Sequence, residues 1–161
     1  MNLELFKNQL VILPTMNANI LRNQYINRFI DTSKDYYIKK ITHLKRFSDG
    51  FCYTGYLWDC LKESTLVSYE YITSISHLDD VYVFWDIHSQ DLIFIDDYWK
   101  FGKETILNVN YSVLIKNLEY LPEDLYIFDN TLSWTLVVTH EYVNFSRFCL
   151  KSGIISPITY P

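Results

Sequence analysis

Residues 81–86, which read VYVFWD, and residues 134–141, which read WTLVVTHE, decide the fold of this chain. Both runs are rich in β-branched and aromatic residues, which favour strands over helices. In the first run, apolar side chains occupy both of the alternating faces. A strand with two apolar faces is covered on both sides, so we expect helices to pack against at least one face of this sheet.

Each run has a neighbour that predicts a hairpin. Residues 92–97 (LIFIDD) form the return strand of the first, with Tyr82 opposite Asp96. The second hairpin joins residues 125–129 to the second run across the loop 130–133. Its short loop sets the register and places these pairs on one face: Asp129 with Trp134, Ile127 with Leu136, and Leu125 with Val138.

Upstream of the sheet, apolar residues recur at spacings of three and four, which indicates helices. The pattern covers residues 21–30, 37–44, 53–61 and 67–78. A further helix near 111–121 has Asn110 as its candidate cap and ends before Pro122.

The predicted fold class is therefore α+β. We expect one domain over residues 1–161, mainly helical in 1–80 and mainly β in 81–161. N-terminal helices precede a mostly antiparallel sheet of about four to six strands, with the helix near 111–121 inserted between strands.

Composition supports a single packed domain. Of the 161 residues, 49% are hydrophobic and 17% aromatic, with only 4 Gly and 4 Pro, which excludes a disordered chain. The 3 cysteines have no paired spacing, which predicts a reducing compartment and neither disulfides nor a zinc site. The sequence has no run of about 18 apolar residues, so we predict a cytoplasmic protein without a membrane partner.

Charge is distributed unevenly along the chain. The formal net charge of -5 arises entirely in residues 81–161, which carry ten acidic and five basic side chains, while residues 1–80 carry nine of each. Six aspartates and no Lys or Arg lie between Asp79 and Asp97. An acidic balance disfavours a general nucleic-acid binder and leaves an acidic surface to explain.

The sequence contains no catalytic motif that would identify an enzyme. It lacks a GxSxG nucleophile elbow and a glycine-rich phosphate loop, so we expect neither an enzyme nor a cofactor. His140 and Glu141 point to opposite faces of a strand, with His140 on the face of Trp134, Leu136 and Val138, so they do not share a metal. We expect no metal site, although a hard-cation site from Asp86, His88 and Asp91 is geometrically conceivable.

Two alternatives stay open. A small hydrolase or metal-dependent enzyme would use His140, Asp129 and Glu141. A nucleic-acid-binding module would use the basic segment 22–46, which holds seven basic residues against two aspartates.

Aspartates interleaved with aromatic residues favour a different site, a surface for protein recognition. Aromatic side chains supply contact area and aspartates accelerate the encounter with a basic partner. We predict that this partner-binding surface is formed by Asp86, His88, Asp91, Asp96, Asp97, Tyr98 and Trp99.

The strings VYVFWDIHSQD, LIFIDDYWKF and LPEDLYIFDNTLSWTLVVTHE, within residues 81–141, resemble small bacterial domains found as immunity proteins beside polymorphic or contact-dependent toxins. The resemblance implies a non-enzymatic protein that binds one cognate toxin in a one-to-one complex. Such toxins are usually nucleases with a basic active-site cleft, which an acidic and aromatic surface would occlude. It assigns no residue roles.

Overall fold

The computed structural model describes residues 2–48, 50–88 and 101–156. Within them, an antiparallel sheet of seven strands has the order β1-β6-β5-β7-β8-β9-β4, and β2 and β3 form a separate pair. The strands are β1 (Leu10–Ile12), β2 (Lys45–Phe47), β3 (Gly50–Cys52), β4 (Thr65–Val67), β5 (Asp80–Trp85), β6 (Leu107–Asn110), β7 (Leu125–Phe128), β8 (Trp134–Val143) and β9 (Ser146–Gly153).

Four α-helices accompany the described strands: α1 (Leu3–Lys7), α2 (Thr15–Phe29), α3 (Tyr69–Ser74) and α4 (Tyr111–Ile115). The longest, α2, buries a stripe with the spacing of one helical face: Ala18, Arg22, Tyr25 and Phe29. A π-helical turn (Tyr37–Ile41) and 3-10 turns (Leu57–Cys60, Leu118–Tyr120) complete the helical content of the described residues.

The sheet separates two apolar cores. One contains Phe6, Trp85 and Tyr111, and the other contains Tyr25 and Phe84. The adjacent residues Phe84 and Trp85 of β5 thus belong to opposite cores, and both are fully buried. The expectation that this strand is covered on both faces is confirmed.

The α+β class and the second hairpin are also confirmed. Ile127 faces Leu136 and Leu125 faces Val138, as the four-residue loop predicts. The Asn110 side chain accepts a hydrogen bond from the Ser112 amide and caps α4. The inserted helix is shorter than predicted, because a 3-10 turn replaces its second half.

Other expectations are wrong. The sheet has seven strands because β1 and β4, of three residues each, pair at its two edges. These two strands lie in the half predicted to be helical, and residues 53–61 form only a 3-10 turn where a helix was expected. Tyr82 cannot pair with Asp96, because it already faces Asn108 on β6 and Phe128 on β7. The predicted strand 92–97 lies outside the described residues.

No helix among the described residues has the length and apolar character needed to cross a bilayer.

Candidate functional site

The candidate site is a cleft of about 800 Å³ at one end of the sheet, which we call the acidic cleft. Because β5 and β7 are antiparallel, the start of β5 lies beside the end of β7, and Tyr82 faces Phe128 there. The acidic residues that line the cleft are Asp79, Asp80 and Asp129, and the aromatic ones are His77, Tyr82 and Trp134. Its lining includes no Lys or Arg from the described part of the chain.

The carboxylates of this cleft differ in their hydrogen bonds and ion pairs. Asp129 accepts hydrogen bonds from Thr131, through both its amide and its hydroxyl, and from the Trp134 indole at 2.8 Å. This is an Asx turn that fixes the loop between β7 and β8. Asp79 and Asp80 are exposed, and neither takes part in an ion pair with another described residue. Their negative charge is therefore presented to the solvent.

A second group of carboxylates lies at the opposite end of the same two strands. Asp86, which follows β5, is only 1% exposed. Its Oδ1 accepts hydrogen bonds from the Tyr53 hydroxyl (2.7 Å) and the Leu57 amide (3.1 Å), and its Oδ2 accepts one from the Tyr126 hydroxyl (2.7 Å). Burial, followed by the charge of Asp124, raises the pKa of Asp86 to about 7 although these hydrogen bonds lower it.

Asp124, which precedes β7, is the second buried carboxylate. It accepts hydrogen bonds from the indole of Trp58 (3.1 Å) and from the amide (3.1 Å) and Nδ1 (3.0 Å) of His140. The Nδ1 bond to Asp124 raises the pKa of His140, partly offset by burial. Asp124 therefore orients a partly exposed imidazole.

Residues 53–58, which we call the strap, cover both buried carboxylates. The strap supplies three of these donors, the Tyr53 hydroxyl, the Leu57 amide and the Trp58 indole, and its Trp58 amide also donates to the Tyr126 hydroxyl at 2.9 Å. Buried His88 contacts the Gly55 carbonyl through Nε2, and burial lowers its pKa. The ring of Tyr56 lies between His88 and His140, with centroid distances of 4.7 and 4.8 Å. These contacts make the region a satisfied polar core.

The predicted partner-binding residues separate into two groups. Asp86 and His88 are 1% and 2% exposed, so the expectation that they form part of an accessible surface is wrong. They are buried because the strap packs over them and supplies their hydrogen-bond partners. The other predicted residues lie outside the described part of the chain: Asp91, Asp96, Asp97, Tyr98 and Trp99.

The residue set of the hydrolase alternative is not brought together. Asp129 accepts a hydrogen bond from Trp134 at the start of β8. His140 follows Trp134 by six positions, which is about 20 Å along a strand, so Asp129 and His140 lie far apart. A register shift in β8 between Val138 and Tyr142 also changes the predicted alternation. His140 packs against Tyr56 and does not share the face of Trp134, while Glu141 is exposed. Among the described residues, no group of three or more His, Cys, Asp or Glu could hold a metal ion.

The basic segment 22–46 is also partly engaged within the fold. Arg22 is buried, Arg28 donates to the Leu132 carbonyl, and Lys34 donates to the Asp59 carbonyl. Lys39 pairs with Asp35. These contacts leave fewer cations for a nucleic acid than the sequence count suggests.

Compared with known proteins, the chain matches no family model, no curated protein and no solved structure.

Proposed function

We propose that this chain is a non-enzymatic immunity protein that binds and neutralises a cognate bacterial toxin in the cytoplasm, as a one-to-one complex. The toxin domain would be basic, of the nuclease kind, and its active site would be occluded by acidic and aromatic side chains. The observation that carries the proposal is the acidic cleft, where three carboxylates line a concave surface without a Lys or Arg from the described chain.

The cleft has the chemistry that a basic partner requires. Asp79 and Asp80 are exposed, so their desolvation on binding can be repaid by Lys or Arg side chains of the partner. Tyr82, which is half-buried, adds aromatic surface, which is favoured at the centre of protein interfaces. The volume of about 800 Å³ can admit side chains from a partner, but it is far smaller than a folded domain. The cleft would thus be one part of a larger interface.

The sequence resemblance to immunity domains supports the same class of function. The segment that carries the resemblance includes β5, β7 and most of β8, which position the cleft. Asp91, Asp96, Asp97, Tyr98 and Trp99 remain predicted contributors to the interface, and they are tested separately below.

The direct test is binding to the toxin domain encoded beside the gene for this chain. We expect the double variant D79K/D80K to weaken the complex by about a hundredfold or more, because like charges across an interface cost several kcal/mol. Isothermal titration calorimetry measures the loss, and growth of cells that co-express the toxin domain reports protection. Glu63→Lys is the matched control, since it reverses one exposed charge outside the cleft.

Two outcomes decide the proposal. If no neighbouring toxin domain binds the wild-type protein, the immunity function is wrong. If the complex forms but D79K/D80K binds as tightly as Glu63→Lys, the cleft is not its interface, and the double variant D96K/D97K then tests the segment predicted from sequence. We also expect the association rate to fall steeply with added salt, because electrostatic steering is screened over about 10 Å at physiological ionic strength.

A further inference from the structure

Four aromatic rings at the strap form a cluster that we call the aromatic face: Tyr56, Trp58, His140 and Phe148. Tyr56 and Trp58 are stacked, with ring centroids 5.4 Å apart and an angle of 24° between the ring planes. Trp58 lies 5.9 Å from Phe148, and Tyr56 lies 4.8 Å from His140. All four side chains are half-buried, so the cluster presents part of its aromatic surface to the solvent.

The aromatic face lies in a negative electrostatic field. Burial raises the pKa of the Tyr56 hydroxyl, and four negative charges raise it further: Asp124, Asp86, Glu141 and Asp59. Asp59 and Glu141 are exposed, and neither takes part in an ion pair with another described residue. A cation that approaches these rings is therefore attracted by carboxylates that no described cation neutralises.

Two cations border this region, but both are bound to backbone groups. Lys34 donates to the carbonyl of Asp59. Arg147 donates to the carbonyls of Thr139 and Glu123. Neither side chain covers the rings of the aromatic face.

The aromatic face differs in this respect from other rings of the protein. The Cζ of Arg22 lies 4.4 Å from the centre of the Phe84 ring, and the Nζ of Lys151 lies 5.8 Å from that of Tyr71. Over the rings of the aromatic face, no Lys or Arg of the described chain is found. Because the face of an aromatic ring attracts cations, this cluster has an affinity for a cation that the described chain does not use.

A guanidinium fits the aromatic face better than other cations do. It is planar, it stacks on aromatic rings, and its N–H fork binds both oxygens of a carboxylate. Glu141, which follows His140 in the chain, supplies an exposed carboxylate beside the rings. An ammonium is a compact and strongly hydrated charge that gains less from stacking. A nucleotide base could also stack, but the carboxylates repel its phosphate.

We propose that the aromatic face binds the side chain of an arginine presented by a basic protein partner. The guanidinium packs against the rings of Tyr56 and Trp58, and Glu141 accepts its hydrogen bonds. This surface is distinct from the acidic cleft, because none of its four rings lines the cleft and the strap covers the opposite end of β5 and β7. It does not rest on the proposed function, since an arginine on any protein would serve as the ligand.

The probe is a capped tripeptide of glycine, arginine and glycine. Two matched peptides carry lysine or citrulline in place of arginine, and citrulline has nearly the shape of arginine without its charge. We expect the arginine peptide to bind saturably, with a Kd on the order of 1 mM, and to shift the ring resonances of Tyr56 and Trp58 in NMR titrations. Binding should be about threefold weaker for the lysine peptide and about tenfold or more weaker for the citrulline peptide.

Variants of the aromatic face test which groups bind the arginine. Tyr56→Leu removes a ring and should weaken binding about fivefold, whereas Tyr56→Phe keeps the ring and should bind within about twofold of wild type. Tyr71→Leu is the matched control, because Tyr71 is also exposed in part but is already covered by Lys151. Glu141→Gln should weaken binding about threefold, while Glu63→Gln, which changes an exposed glutamate outside the aromatic face, should have no effect.

The proposal is overturned if the lysine or citrulline peptide binds as tightly as the arginine peptide, or if Tyr56→Leu and Tyr71→Leu affect binding equally. It is also overturned if the arginine peptide shifts the resonances of Tyr82 in the acidic cleft and leaves those of Tyr56 unchanged. That result would not count against the proposed function, and the absence of a toxin partner would not change the peptide titration, so the two proposals fail separately.

Discussion

Strands β5 and β7 each have an aspartate at both ends, and these aspartates are exposed or half-buried at one end of the sheet and buried at the other. At one end, Asp80 is exposed and Asp129 borders the acidic cleft. At the other end, Asp86 and Asp124 are 1% and 4% exposed beneath the strap. The strands are about 15–20 Å long, so the two pairs are too far apart to act together.

The difference shows that a count of acidic residues does not define an acidic surface. The strap donates hydroxyl, amide and indole hydrogen bonds to the two buried carboxylates, Asp86 and Asp124. These carboxylates therefore hold the strap against the sheet. The exposed aspartates stabilise nothing comparable, so their charge is available to a partner.

Removing a buried carboxylate has the largest expected effect. Asp86→Ala leaves the Tyr53 hydroxyl, the Tyr126 hydroxyl and the Leu57 amide without their acceptor in the interior. We expect the free energy of unfolding, measured by urea denaturation, to fall by about 3–5 kcal/mol. Asp80→Ala is the control at the other end of β5 and is expected to change stability by about 0.5 kcal/mol or less. Equal losses for the two variants would contradict the division between the two ends.

The free energy of unfolding is expected to depend on pH through Asp86. The pKa of Asp86 is raised from 3.8 to about 7 in the folded state, so the folded protein binds more protons than the unfolded chain between these values. The contribution of Asp86 to stability is therefore fully present below about pH 4 and is lost as the pH rises through about 7. We expect it to lower the free energy of unfolding by on the order of 1 kcal/mol per pH unit within this window.

The comparison that isolates this contribution is wild type against Asp86→Asn, which cannot ionise at this position. Denaturation curves measured from pH 5 to pH 8 should show a smaller loss of stability with rising pH in the variant. Asp80→Asn, at the exposed end of β5, should keep the wild-type slope. If Asp86→Asn has the wild-type slope, Asp86 does not titrate in this range and its burial does not raise its pKa to about 7.

The parts of the fold that can be predicted from sequence are those set by residues close together in the chain. The hairpin of β7 and β8 has a loop of four residues, so the register of Ile127 against Leu136 follows from counting. The edge strands β1 and β4 could not be found in this way. Each has three residues and pairs with a distant segment, as Thr65 does with Lys151, so neither shows a period of its own.

The strap shows why the candidate site was harder to predict. Tyr53, Leu57 and Cys60 have helical spacing and are buried. Tyr53, however, is not part of a helix, and its hydroxyl donates a hydrogen bond to buried Asp86. His140 and Asp124 are 16 positions apart, and the register shift in β8 brings them together. Of the acidic cleft, the sequence showed the dense run of aspartates from Asp79 onward, but not which of them the fold would bury.

The smallest effect is expected at the two histidines beside the strap, of which His140 is bonded directly to the buried carboxylate Asp124. Proton NMR titration should give His140 a pKa above its ordinary value of 6.5, because Asp124 bonds its Nδ1, and His88 a pKa below 6.5, because it is buried. Asp124→Asn removes the bonded charge and should lower the pKa of His140, whereas Asp129→Asn at the cleft should leave it unchanged. If both variants shift the pKa of His140 equally, the bond to Asp124 is not what raises that pKa.

The two histidines also make opposite contributions to the pH dependence of stability. The contribution of His140 is present below pH 6.5 and is lost as the pH rises through its raised pKa, while that of His88 is present above pH 6.5 and is lost as the pH falls through its lowered pKa. His88 therefore offsets part of the Asp86 slope below pH 6.5, and His140 adds to that slope above pH 6.5, so the comparison with Asp86→Asn is what isolates the contribution of Asp86. In Asp124→Asn that slope should become shallower, since Asp124 is the charge that adds to burial in raising the pKa of Asp86.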